Sequence, residues 1–238
     1  MDLKEEEILG DQIQSHWYYR AKAAALLRNL RDRTPEEILD VGAGSGFFSR
    51  SLLQQTDARR ATCVDIGYRE ERDETCGDKP IAFRRAIGSS RADLVLAMDV
   101  IEHVEDDAGL IRAYSDLVSP GTRFIISVPA FNFLWSAHDV FLEHHRRYTL
   151  RTLEAAMRKA GLEVDWIHYY YASVFPIAAG LRLLERAKGP RAVKPQSQLR
   201  RHGTFVNGAF SALLAAKRPM MRANRLFGLT VFAGGHKP

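Results

Sequence analysis

Cysteine is nearly absent from this chain: there are two in 238 residues, Cys63 and Cys76. Two cysteines build no disulfide framework, and their spacing offers no metal-ligand pattern. Cys63 falls in a stretch that predicts a buried strand, where a thiol packs rather than reacts. Long apolar runs are missing as well. The longest, Ala172–Leu184, is interrupted by Arg182 and is too short to cross a bilayer. The opening residues MDLKEEEILGD are acidic and carry no signal-peptide pattern. A cytoplasmic, reducing setting is expected. Acid is scarce in the second half: residues 121–238 hold 18 Lys+Arg against 6 Asp+Glu, whereas residues 1–120 hold 16 against 23. That basic half suits an anionic substrate, a membrane surface or nucleic acid, or is simply a solvated surface. Hydrophobic residues at 46% and charged residues at 26% are ordinary globular values. The length suits one domain with an insertion.

What is present is organised around ILDVGAGSGF, residues 38–47. An apolar run breaks into Gly42, Gly44 and Gly46 with only small residues between them, then resumes as the amphipathic FFSRSLL. Strand, glycine turn and helix open a nucleotide-type βαβ unit. Glycine lets the backbone turn sharply and come close to a ligand, and the helix start behind it offers free N–H groups. A second short strand, 61–65, ends in Asp65, whose two oxygens suit a pair of ribose hydroxyls. Leu94–Met98 is wholly apolar and is followed by Asp99-Val100-Ile-Glu102-His103-Val104. The next helix is expected from near Glu102 through Val118, with Glu102, Glu105, Asp106 and Asp107 in its first turn suiting the positive end of the helix dipole.

Asp40-Val-Gly42-Ala43-Gly44-Ser-Gly46 resembles motif I of the class I S-adenosylmethionine (SAM) methyltransferases, and MDVIEHV resembles the segment after strand four of the same family. The resemblance implies a Rossmann-like α/β fold with a seven-stranded, mostly parallel sheet and an antiparallel last strand. It implies SAM as cofactor. Asp40, Gly42, Ala43, Gly44 and Gly46 would hold the methionine end, Asp65 and Ile66 the ribose side, and Asp99 and Val100 the underside. Arg20 would approach the cofactor carboxylate. The sequence departs from the family after strand three, where RRAIG (84–88) has no acid for the adenine amino group.

Four regions are expected: an N-terminal helical lid over 1–34, the SAM-binding core over 35–171, a helical cap or insertion over 172–225, and the final strand over 226–238. The lid contains His16, Trp17, Tyr18 and Arg20 on a helix over 16–31 that Ser15 caps. Within the core, the stretch 130–148, AFNFLWSAHDVFLEHHRRY, is the densest in chemistry. It follows a strand at the carboxyl edge of the sheet, where open α/β folds bind ligands. His138, Asp139 and His145 are the candidate catalytic residues, with an Asp139–His145 pair raising imidazole basicity. Trp17, His103, Phe131, Trp135, Arg146 and Tyr148 are the candidate substrate residues, and no metal is expected. In the insertion, 172–188 reads as an amphipathic helix, 189–203 as a basic loop, and 206–227 as a second helix broken near Pro219. A cap, a homodimer face and a membrane-lying face are all open roles for it.

The expected activity is methyl transfer to O, N or C of a small or medium-sized metabolite, aromatic or anionic, with no DNA partner. Methylation of RNA or protein is the alternative, favoured by the basic half but lacking an Asn-Pro-Pro-Tyr-type segment after strand four. An NAD(P)-dependent oxidoreductase shares the glycine turn. It is disfavoured by Phe47 in place of a small residue and by the lack of a Tyr-x-x-x-Lys pattern. A non-catalytic SAM-binding subunit fits the polar 135–148 loop poorly.

Overall fold

The computed structural model describes residues 10–30, 33–187 and 218–238. Its centre is one eight-stranded sheet. The strands are β1 (Glu37–Val41), β2 (Arg60–Val64), β3 (Arg72–Cys76), β4 (Lys79–Arg84), β5 (Leu94–Met98), β6 (Arg123–Pro129), β7 (Glu163–Tyr170) and β8 (Thr230–His236). Their order across the sheet is β3-β4-β2-β1-β5-β6-β8-β7. The β4-β2-β1-β5-β6 block is parallel, and β3, β8 and β7 pair antiparallel to their neighbours.

Residues alternate between two cores on opposite faces of the sheet. Ile38, Leu94, Leu96 and Met98 face one core, and Leu39, Val41, Val95 and Ala97 face the other. Strands covered on both faces need apolar residues at consecutive positions, which is why LVLAM reads as a continuous run. Helices α1 (Trp17–Leu30) and α2 (Phe47–Gln55) cover the first face, while α3 (Asp107–Asp116) and α5 (Leu150–Lys159) cover the second. The short α4 (Ala137–Phe141) and α6 (Phe175–Ala187) flank the carboxyl ends of β6 and β7.

Three sequence expectations are corrected. The sheet has eight strands rather than seven, because the polar stretch 66–80, where a crossover helix is expected to be short or absent, is not a plain loop. It forms instead the hairpin strand β3, which turns at Gly77 (φ +66°) into β4. The helix expected from Glu102 begins at Asp107, capped by the Asp106 carboxylate accepting from the Gly109 N–H at 3.0 Å. Glu102 lies instead in a single 3₁₀ turn, Ile101–His103. Of the helix expected over 206–227, the described part is a 3₁₀ turn, Arg218–Ala223. The loop expected over 189–203 lies outside the described residues.

α1 is tied to the end of β7. The Tyr170 hydroxyl donates to the Ala21 carbonyl at 3.0 Å, the Tyr171 hydroxyl donates to the Tyr18 carbonyl, and the Tyr18 and Tyr171 rings stack at 5.2 Å. The helix is rich in alanine, so its backbone lies close against the sheet. Burying it brings Lys22 over the carboxyl end of β5.

Candidate active site

The chain runs outward from β1 to one edge through β2 and β4, then returns to β5 and goes the other way through β6. The crevice above the carboxyl ends of β1 and β5 is therefore the switch point where such sheets hold ligands. Two sets of residues meet there.

The first is the glycine turn. Gly42, Gly44 and Gly46 all have positive φ, at +60°, +53° and +73°. A Cβ on Gly42 would stand 2.7 Å from the Val100 side chain, so only glycine lets the two loops nest. The turn is braced from below. The Gly44 N–H donates to Asp65 at 3.0 Å, and the Tyr68 hydroxyl donates to the Gly44 carbonyl at 2.6 Å. Asp65 also accepts the Gly67 N–H at 2.9 Å, so each oxygen keeps acceptor capacity toward the crevice. Next to it the apolar side chain of Ile66 is 85% exposed. Asp40 is buried and accepts from the Ser49 hydroxyl at 2.8 Å, and burial pushes its carboxyl up to about 6 against that bond. Cys63 lies under the same turn, and burial pushes its thiol well above the usual range, in keeping with a packing role.

The second set is a pocket lined by Tyr18, Asp99, Glu102, His103, His138, His144, Arg147 and Arg182, with apolar walls from Pro129, Leu134, Leu142 and Leu229. Asp99, at φ +56°, leaves β5 in the left-handed region and pairs with the buried Lys22. Lys22 also donates to the Tyr18 hydroxyl at 2.8 Å. Glu102 is fully buried, and neither of its carboxylate oxygens finds a partner outside its own residue among the described residues. Burial, reinforced by the charge of Asp99, raises its pKa well above the usual carboxylate value. Burial also lowers His103, with help from His144, to about 4, so His103 is neutral at pH 7.

The aromatic stretch 130–148 resolves differently from its sequence reading. Asp139 pairs with His144 (Nδ1 to Oδ1, 3.0 Å), not with His145. The α4 helix ends at Leu142, and Glu143 takes a positive φ of +58°, which reverses the chain and turns His144 inward and His145 out to solvent. The His145 N–H still donates to the Glu102 carbonyl at 2.7 Å, fastening the two loops by backbone alone. Asp139 is fully committed. It accepts from the Ser136 N–H and hydroxyl, from His144, and from Arg147 through Nε and Nη2. Burial works against its charge, but the bonds from His144 and Arg147 hold its carboxyl well below its usual range.

Arg146 and Tyr148 face away from the pocket. Arg146 pairs with Asp107 at 3.2 Å and donates to the Glu105 carbonyl, and the Tyr148 hydroxyl donates to Asp107 at 2.8 Å. They clamp the start of α3. Phe131 stacks on Tyr169 at 4.8 Å and packs against Phe175, outside the pocket lining, and Trp135 does not line the pocket either. Trp17 packs edge-on against Tyr18 and Tyr171, and Arg20 lies exposed on a separate groove beside Ser45 and Phe47. Of the expected substrate residues, His103 lines the pocket, and of the catalytic candidates His138 does. Lys22, Glu102, His144 and Arg147 were not singled out by sequence reasoning. His144 and Arg147 stand one residue from residues that were.

Comparison with known proteins gives three findings. A sequence model of a family described as a methyltransferase domain matches residues 15–166. Among curated proteins, the ubiquinone biosynthesis O-methyltransferase of Aeromonas salmonicida is 31% identical over 103 residues, covering 39% of this chain and 42% of that one. Its counterpart from Pseudomonas aeruginosa is 27% identical over 153 residues, covering 54% and 65%. The chain thus spans about half the length of the curated relatives it matches. Among solved structures, the N-methyltransferase NodS of Bradyrhizobium japonicum, in complex with S-adenosyl-L-homocysteine, superposes with a TM-score of 0.56 at 13% identity. That match covers 99% of this chain and 96% of NodS, a likeness of fold.

Proposed function

This chain belongs to the methyltransferase-domain family, and from that premise we propose that it transfers a methyl group from SAM to a hydroxyl oxygen of a small aromatic or anionic metabolite. The glycine turn, Asp65 with its remaining acceptor capacity and the exposed Ile66 suit the methionine, ribose and ring parts of that cofactor. The cofactor supplies an activated methyl on a sulfonium centre, whose bond to sulfur breaks as the acceptor's bond to carbon forms. The protein has to place the acceptor in line, exclude water and take up a proton.

One observation carries the choice of oxygen. Glu102, His103 and His144 converge in the pocket that Asp99 lines, one residue before the Val100 side chain that packs on Gly42, and carboxylate and imidazole are the groups that accept a proton from a hydroxyl. Asp139 positions His144, and Arg147 fixes Asp139. Apolar walls suit a ring, and Arg182 on the pocket lining brings positive charge for an anionic group. The name of the curated relatives, which covers O-methylation in quinone biosynthesis, supports a phenolic acceptor.

The test is turnover with methyl-labelled SAM and a panel of catechols and hydroxybenzoates. His144→Ala is expected to cut turnover about a hundredfold or more, while His145→Ala stays near wild type and both bind S-adenosylhomocysteine. Equal losses in the two variants would sink the assignment of His144. Gly42→Ala should weaken S-adenosylhomocysteine binding about tenfold or more, because a positive φ and a Cβ clash together cost about 1–3 kcal/mol. Calorimetric titration checks this, and unchanged affinity would remove the glycine turn from the cofactor site.

A further inference from the structure

We propose that Glu102, His103 and His144 form a binding site for one divalent cation of the zinc class. The three side chains each present a ligand atom, and these atoms all lie within 4.8 Å of one another. Ligand atoms held about 2.0–2.2 Å from one ion stand up to about 4 Å apart, so a small side-chain adjustment closes the set. Two neutral imidazole nitrogens and one carboxylate suit zinc and its first-row neighbours rather than magnesium or calcium, which prefer oxygen.

Two independent observations point to a ligand. The first is Glu102 itself. It is fully buried, aimed into the pocket, and without a partner outside its own residue among the described residues. A buried carboxylate is costly unless something compensates its charge. The second is the support behind His144. His144 gives Nδ1 to Asp139 at 3.0 Å, which leaves Nε2 for the cluster, and Asp139 is itself pinned by Arg147. A ring fixed through one nitrogen by a carboxylate, with the other nitrogen left for a metal, is the arrangement that orients metal-binding histidines. The two rings meet edge to face at 4.6 Å. No short sequence motif announces this site, because His144 is contributed 41 residues after His103, by a loop that reverses direction to deliver it.

The site stands on this geometry alone. Only its consequence rests on the functional reading: a dication beside the acceptor hydroxyl lowers that group's pKa, so its proton leaves to solvent without a ring nitrogen having to take it.

The experiment uses the full chain, stripped with EDTA and titrated with zinc sulfate by calorimetry, with unfolding temperature followed in parallel. Wild type is expected to take one equivalent and to unfold at a higher temperature when loaded. Glu102→Gln, which keeps the shape and removes the buried charge, should unfold in EDTA at or above the wild-type temperature, lose the zinc response and still bind S-adenosylhomocysteine. His144→Ala should also lose zinc, and His145→Ala should titrate as wild type. No stoichiometric binding in wild type, or binding retained in both Glu102→Gln and His144→Ala, overturns the proposal. So does a loss of equal size in His145→Ala. Methyl transfer by a chain that takes no zinc would end this proposal and leave the function standing, whereas zinc binding with no transfer to any acceptor would do the reverse.

Discussion

Asp99→Asn is expected to destabilise the protein by about 3–5 kcal/mol, because it strands a buried cation. The Lys22 side chain is completely buried, and its ammonium reaches Asp99 and the Tyr18 hydroxyl. Burial alone would push the Lys22 pKa down. Asp99 and Tyr18 together, through charge and hydrogen bonds, outweigh burial and hold the pKa above the ordinary lysine value. With asparagine at 99 the Asp99 share of that opposition is gone, and Lys22 must either stay charged without a counter-ion or give up its proton. Asparagine is the informative replacement, since residue 99 sits at φ +56° and asparagine tolerates the left-handed region where alanine would add strain of its own. The reverse variant, Lys22→Met, should cost less. Asp99 is 25% exposed and keeps water within reach, with the Ser127 hydroxyl as a distant partner at 3.4 Å. The pH dependence separates this from a packing defect. In Asp99→Asn the folded lysine pKa falls below its unfolded value, so the unfolded chain binds more protons and stability rises with pH. The gap to wild type should therefore narrow between pH 7 and pH 9.5 in chemical denaturation. A gap that stays constant, or a larger loss in Lys22→Met, would contradict the buried-charge argument.

That pair also marks the limit of what the residues alone disclosed. Lys22 sits in an alanine-rich helix where a lysine ordinarily faces water. Nothing local reveals that Asp99 arrives beneath it from 77 residues further on. The parts of the site made by contiguous residues were legible. The glycine turn, Asp65 at the end of β2 and the strand Arg123–Pro129 follow from periodicity and from turn chemistry that each segment carries within itself. The hairpin β3–β4 had its signal in the turn pair Gly77-Asp78, but β3 (Arg-Asp-Glu-Thr-Cys) is polar and carries no apolar alternation to mark it as a strand. Glu102 was read as an acid serving a helix dipole. The helix starts at Asp107 instead, and the acid is buried against the β5 loop. The offset between His144 and His145 is of another kind. Helical spacing from Asp139 cannot choose between neighbours once the chain has left the helix, and the choice is made by the positive φ at Glu143.

The second large effect is expected at Asp139, where both Asp139→Ala and Asp139→Asn should cost about 3–5 kcal/mol. The carboxylate is fully buried and accepts five hydrogen bonds, two from Ser136, one from His144 and two from Arg147. Truncation leaves the Arg147 guanidinium, whose side chain is 12% exposed, with the Ala130 carbonyl as its remaining partner at 3.1 Å. Asparagine does little better, because it carries no charge for Arg147 and presents two donors among groups that need an acceptor. The acid limb gives a signed check. The folded pKa of Asp139 is depressed below the ordinary 3.8, so its contribution is fully present above that value and is lost as pH falls through the acid range. Wild type and Asp139→Asn should therefore differ most near neutrality and converge as pH drops from about 5 toward 2. The lesion belongs to the 130–148 loop and not to the glycine turn, so S-adenosylhomocysteine affinity of the folded fraction should be roughly kept while turnover falls with the loss of His144's orientation. If Asp139→Asn were as stable as wild type at pH 7, the loop would be held by something other than this carboxylate. His144 would then lose the support that its remaining nitrogen needs, whether that nitrogen takes a proton or binds a metal.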